Sequence, residues 1–125
     1  MSSTVWGAND WRFYGQDRGS SKYSSLDQID EENLQKLEVA WTWESPDNAM
    51  VAVNRSLTPI GFKSTPIMID DVLYVSTSLG QVVAIDAATG QTIWQFDTKT
   101  WNSGRPTNLG FNHRGVAYWR EGSAE

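Results

Sequence analysis

Residues 84–94 read Ala84-Ile85-Asp86-Ala87-Ala88-Thr89-Gly90-Gln91-Thr92-Ile93-Trp94 and fit the pattern A-x-D-x-x-T-G-x-x-x-W at every specified position. Asp86 and Thr89 are spaced to hydrogen-bond the backbone of the turn that they bracket. Gly90 supplies the positive φ with which a chain leaves a type I turn through a bulge into the next strand. Trp94 then falls on that outer strand, with its ring placed to lie between this sheet and a neighbouring one. Ala84 is small enough to leave room for a ring.

Outward from this turn, apolar alternation marks strands over 65–69, 72–77, 81–86 and 92–97, separated by Asp70-Asp71, Ser78-Leu79-Gly80 and Ala87-Ala88-Thr89-Gly90. Short strands at a spacing of about eight to twelve residues predict an antiparallel meander. Upstream, residues 38–43 alternate Val39, Trp41 and Trp43 against Glu38, Ala40 and Thr42, a period of two that predicts a strand. Residues 44–61 hold two Pro with Ser, Asp and Asn, and predict a long loop with a short extended piece at 50–53. Residues 26–37 predict one short helix with Asp30 as N-cap, Glu31 and Glu32 in its first turn and Lys36 near its end. Residues 1–25, with Trp6, Trp11, Phe13, Tyr14 and Tyr23 among polar residues, form an arm whose rings dock elsewhere. Residues 98–115 return to loop composition, and 116–119 offer a further strand.

The chain has 125 residues, 10 Lys+Arg against 15 Asp+Glu (net charge −5), one His, no Cys and 39% hydrophobic residues. That is one modest domain or a piece of a larger one. The acidic balance, without a basic patch, argues against binding nucleic acid or an anionic membrane. Without Cys there is no disulfide, thiolate metal site or Cys nucleophile. No apolar run approaches the roughly 18 residues of a membrane span. Residues 1–6 have neither the basic nor the apolar region of a signal peptide, so the sequence as it stands is expected to be soluble and without an export signal. Seven Trp are hard to bury in one small core and point to stacking at repeat interfaces or to a binding surface.

The 84–94 motif resembles the tryptophan-docking motif of the quinoprotein β-propellers, and the likeness extends along the chain. Asp10-Trp11-x-x-Tyr14-Gly15-x-Asp17, Lys22-Tyr23-Ser24-Ser25-Leu26-x-Gln28-Ile29 and Asn33-Leu34-x-x-Leu37-x-x-Ala40-Trp41 are similar to the N-terminal opening of dehydrogenases that use pyrroloquinoline quinone (PQQ). Thr65-Pro66-Ile67 and Leu73-Tyr74-Val75-Ser76-Thr77 resemble a first blade, and His113-Arg114-Gly115-Val116-Ala117-Tyr118-Trp119 the segment after it. The glucose dehydrogenase-like group is the nearest likeness. The resemblance implies an all-β fold, an N-terminal piece of an eight-bladed propeller with PQQ near its axis and Ca²⁺ beside it. Residues 1–37 would be an N-terminal arm and short helix. Residues 38–125 would be an incomplete propeller, with a closing strand at 38–43, the first blade at about 62–97, and a loop and the start of the next blade at 98–125.

The implied function is oxidation of a hydroxyl of a sugar, polyol or related alcohol, with hydride passing to PQQ. A quinone or a cytochrome would take the electrons, in a periplasmic protein whose membrane association lies outside these residues. Arg114, in Arg114-Gly115-Val116, matches the family's cofactor-contacting Arg, and a guanidinium suits carboxylate and quinone oxygens. Lys63 stands where alcohol- and glucose-oxidising relatives carry a PQQ-contacting Glu. Either it pairs with a PQQ oxygen as a point charge, or it marks altered chemistry or loss of the cofactor. Asn108 and Leu109 stand where the alcohol-oxidising relatives carry an adjacent Cys pair, and Gly110 where the glucose-oxidising ones carry a His. His113 is expected to orient its loop. The catalytic Asp and the Ca²⁺ ligands would come from later blades, so no catalytic or metal-binding residue is assigned. Two other readings remain: a non-catalytic propeller serving as a binding or assembly scaffold, and a Trp-rich carbohydrate-binding β-domain complete in itself.

Overall fold

The computed structural model describes residues 10–121. Its centre is a four-stranded antiparallel meander in the order β1-β2-β3-β4: β1 Ile67–Ile69, β2 Val72–Ser76, β3 Gln81–Asp86 and β4 Thr92–Asp97. β3 and β4 have the bounds expected from the sequence. β1 starts two residues later than expected, because Pro66 has no N–H to donate and the Thr65 amide donates to Arg114 O (3.0 Å) instead. β2 ends one residue early, because the Thr77 amide donates to Gln81 O (2.8 Å) and closes the next turn. Asp70 and Asp71 both have positive φ (50° and 62°), the pattern of a tight two-residue hairpin.

The 84–94 turn forms as its sequence demands. The Asp86 carboxylate accepts from the Ala88 amide (3.0 Å), the Thr89 amide (2.8 Å) and the Thr89 hydroxyl (2.9 Å). These bonds hold its carboxyl below the usual 3.8, the Thr89 hydroxyl contributing most and the Thr89 amide next. Gly90 has φ +72°, and the pairing then steps from Ile85↔Thr92 to Ala84↔Trp94, leaving Ile93 as the extra residue of a bulge. Trp94 faces buried Ala84 across the ladder and meets Tyr74 with ring centroids 6.0 Å apart.

The other sheet face holds Val75, Val83 and Ile85 with Leu73 beside them, covered by Trp41 and Trp43. Residues 38–43 therefore deliver the expected alternation at Trp41 and Trp43 but not at Val39, which is exposed, and no strand is assigned to them, because no neighbouring chain pairs with their backbone among the described residues. The expected helix over 26–37 shrinks to a 3₁₀ turn, Leu34–Lys36. The N-cap of that turn is Asn33 and not Asp30, whose carboxylate accepts from the Glu32 and Asn33 amides (2.9 and 3.0 Å) in the turn just before it. Leu26, Ile29, Leu34 and Leu37 stay half or more exposed, so this short segment has no packing to sustain a helix.

The extended piece expected at 50–53 is instead a helix, α1 Asp47–Val53, followed by a 3₁₀ turn, Arg55–Leu57. Asp47 anchors it: the buried carboxylate accepts from the Leu79 amide (3.0 Å) and Gln81 Nε2 (2.9 Å), and Gln95 Nε2 donates to Gln81 Oε1 behind it. Met50 and Val51 then pack on a second core of Leu57, Leu79 and Phe111. The Asn54 side chain accepts from the Ser56 amide and hydroxyl, which commits it to starting the 3₁₀ turn.

The arm covers the free edge of β1. Trp11 exchanges two backbone hydrogen bonds with Met68 (2.8 and 2.9 Å), Asp10 accepts from the Asp70 amide (2.9 Å), and the Arg12 guanidinium lies 5.3 Å from the Tyr118 ring centroid. Trp6 lies outside the described residues. The strand expected at 116–119 is not assigned; Tyr118 and Trp119 are exposed.

Candidate functional site

An antiparallel meander sends alternate connections to opposite ends of the sheet. The 86–90 turn and Asp70-Asp71 lie at one end. At the other end are the entry to β1, the 77–80 turn and the exit from β4, and here the segments that carry the two candidate cofactor residues are joined. Thr65 N–H donating to Arg114 O joins their segments, and Gly115 approaches so closely that a Cβ there would lie 3.1 Å from Thr65 O.

Lys63 is exposed, but its neighbours are fixed. Gly61 O accepts from Ser78 Oγ (3.0 Å), Phe62 meets Trp43 edge-on (centroids 6.5 Å apart), and Ser64 Oγ bonds Ser76 Oγ (3.0 Å). The backbone is thereby tied to the end of β2 on both sides of Lys63. Arg114 is also exposed, and neither side chain has a hydrogen-bond or ion-pair partner among the described residues. Two cations at one sheet end, held by backbone and uncommitted in charge, suit a ligand with several anionic oxygens.

His113 packs against the 77–80 turn: a Cβ on Gly80 would lie 3.1 Å from its Nε2 and 2.6 Å from Thr100 Oγ1. Residues 106–110 and 112–114 line an open cleft that includes Asn108, Leu109 and Gly110. Trp101 is a packing residue: its ring joins the Leu57–Leu79–Phe111 core and its indole N–H bonds the Asp97 carboxylate (3.1 Å). Asp70, Asp71, Asp86 and Asp97 occupy turns and strand ends. Among the described residues no three His, Asp or Glu gather where a metal ion would sit, and no helix is long and apolar enough to cross a membrane.

Sequence reasoning missed two things. Asp47 read as loop composition, and its spacing to Leu79 and Gln81 gave no local signal. Trp41 read as one face of a strand, yet its indole N–H donates to Ala87 O (3.0 Å) and its ring lies on Gly90. Trp41, from well before the motif begins at Ala84, fills the docking place that the motif's turn provides.

The family model described as PQQ: glucose/ethanol/alcohol dehydrogenase, beta-propeller domain, matches residues 11–125. The alcohol dehydrogenase (quinone), dehydrogenase subunit, of Gluconobacter oxydans is 34% identical over 116 residues, covering 88% of this chain and 13% of that protein. Quinoprotein glucose dehydrogenase A of Acinetobacter calcoaceticus is 34% identical over 114 residues, covering 89% and 13%. Among solved structures, the quinohemoprotein alcohol dehydrogenase from Comamonas testosteroni superposes with a TM-score of 0.67 at 35% identity, over 88% of this chain and 15% of that one. The chain thus spans about 13% of the length of the curated relatives it matches.

Proposed function

Because this chain belongs to the PQQ glucose/ethanol/alcohol dehydrogenase β-propeller family, we propose that it is part of a dehydrogenase that oxidises a hydroxyl of a sugar, polyol or related alcohol. Arg114 and Lys63 are its contacts to PQQ. The observation that supports this reading is the Thr65–Arg114 backbone bond, which joins the segments on which the two uncommitted cations stand. These residues fit the cofactor, whose carboxylates and quinone oxygens need positive partners. When bound, PQQ supplies an ortho-quinone able to accept a hydride.

The chain's own residues bind and orient. Arg114, with a planar fork of donors, fixes direction; Lys63 acts as a point charge. The 61–64 anchors and the Thr65–Arg114 bond fix the backbone on which both side chains stand. In the proposed whole, an eight-bladed propeller, residues 38–43 pair with a partner strand elsewhere in the protein and close the ring, and the catalytic Asp and Ca²⁺ ligands come from other blades. A quinone or cytochrome takes the electrons, and the setting is the periplasm or its membrane face.

Titration of the intact protein with PQQ tests this. Saturable binding, weakened about a hundredfold by Arg114→Ala and about tenfold by Lys63→Ala, is expected for loss of charged hydrogen bonds. Affinity unchanged in both variants sinks the site assignment. The presence of Lys63 where relatives carry a Glu favours one other reading, a scaffold propeller without cofactor; no binding by the unaltered protein would establish it.

A further inference from the structure

Arg114 has no side-chain partner among the described residues, so its direction depends on what holds its loop. Phe111 holds the loop from inside, packed on Leu57 and Leu79. Arg105 holds it from outside. Its Nη1 donates to Thr58 O (2.7 Å) and Ser56 O (3.3 Å), at the end of the 3₁₀ turn from which the chain runs on to Lys63. The face of the same guanidinium covers the loop: its Cζ is 5.8 Å from the Phe111 ring centroid, and a Cβ on Gly110 would lie 2.8 Å from its Nη2. Gly110 has φ +58° and is buried, so its backbone favours glycine, and a side chain there would have to displace the Arg105 guanidinium.

We infer that Arg105 is a positioning residue, clamping the loop that carries Arg114 to the segment that leads to Lys63. The inference rests on the cofactor role proposed for Arg114. A planar fork is well shaped for such a clamp, since one edge bonds two carbonyls while the face stacks on a ring and a glycine. A Lys ammonium meets the carbonyls but cannot also cover Gly110. Arg105 contacts neither candidate cofactor residue, so its effect on binding must pass through loop geometry.

The test uses the intact protein with Arg105→Ala, Arg105→Lys and the double variant Arg105→Ala/Arg114→Ala, each titrated with PQQ and followed by hydrogen exchange. Arg105→Ala is expected to weaken PQQ affinity about tenfold, and Arg105→Lys less, as for loss of preorganisation. The double variant should bind no more weakly than Arg114→Ala alone, because a residue acting through Arg114 has nothing left to position. Exchange of the Thr65 amide, which donates to Arg114 O, should accelerate in Arg105→Ala while the amides of β3 keep their protection. Unchanged affinity, or losses that multiply in the double variant, overturns the inference. Should the unaltered protein bind no PQQ, the proposed function fails and the exchange arm alone decides. A Thr65 amide as protected as in the unaltered protein then overturns the clamp, and a faster one upholds it. If Arg105→Ala does not fold, Arg105→Lys is read in the same way.

Discussion

Trp41 sits on Gly90 with no space between them: an ideal Cβ built on Gly90 falls 2.5 Å from Trp41 Cε3 and 2.6 Å from Cδ2. The same indole donates to Ala87 O, so ring and turn are joined by a contact and a hydrogen bond together. Gly90→Ala, which also meets a φ of +72°, should destabilise by about 1–3 kcal/mol through overpacking and strain. Chemical denaturation followed by Trp fluorescence checks this. Trp41→Phe, which keeps a ring but leaves Ala87 O without its donor, should cost about 1 kcal/mol. A Gly90→Ala variant as stable as the unaltered protein would mean that Trp41 does not dock there.

Asp47 is the linchpin of the segment between the tryptophans and Lys63. Asp47→Ala strands the buried Leu79 amide and leaves Gln81 Nε2 only the weak Met50 Sδ acceptor (3.2 Å), for an expected loss of about 2–3 kcal/mol. Asp47→Asn retains one acceptor oxygen and should lose less. Denaturant midpoints rank the three proteins. Equal midpoints would show that α1 is held by its apolar face alone.

Asp86 carries a pH signature. Its carboxyl is held below 3.8, chiefly by the Thr89 hydroxyl. A depressed folded-state value contributes stability that is fully present above pH 3.8 and is lost as pH falls through the lowered value. The Tm gap between the unaltered protein and Asp86→Asn should therefore close on acidification past that point. A gap that stays constant into acid would place the turn's stability elsewhere.

Lys63 offers a test by charge reversal. Lys63→Glu replaces the proposed cationic contact by a carboxylate two residues from Thr65, whose amide bonds Arg114 O. If Lys63 pairs with an anionic oxygen of PQQ, the reversal weakens binding more than Lys63→Ala does, and added salt narrows the difference. Tighter binding by Lys63→Glu would show that the site has kept its geometry for a carboxylate.

The sheet was legible in the sequence because its signals are local. Alternation, Asp86, Thr89 and Gly90 specify β3, the turn and β4 without reference to anything distant, and the two edges that moved did so at Pro66 and Thr77. The second half of the site depends on long-range partners. Met50-Val51-Ala52-Val53 reads as extended by its β-branched residues and becomes helical because Asp47 is bonded to residues 32 and 34 positions away. The 26–37 segment shows the converse: its helical composition found no surface to pack on. Lys63 and Arg114 were visible as residue types in motifs, whereas the joining of their segments depends on one amide at Thr65.

The pairing of Trp11 with Met68 and of Arg114 with Thr65 gives the sheet a direction. With its β1 side already occupied by the chain's own arm and loop, a fifth strand can be added only next to β4, where Ile93 and Phe96 are more than half exposed. Misassembly between copies would then be isologous, β4 against β4. Charged residues placed along β4, and not along β1, are the remedy for any attempt to handle this unit by itself.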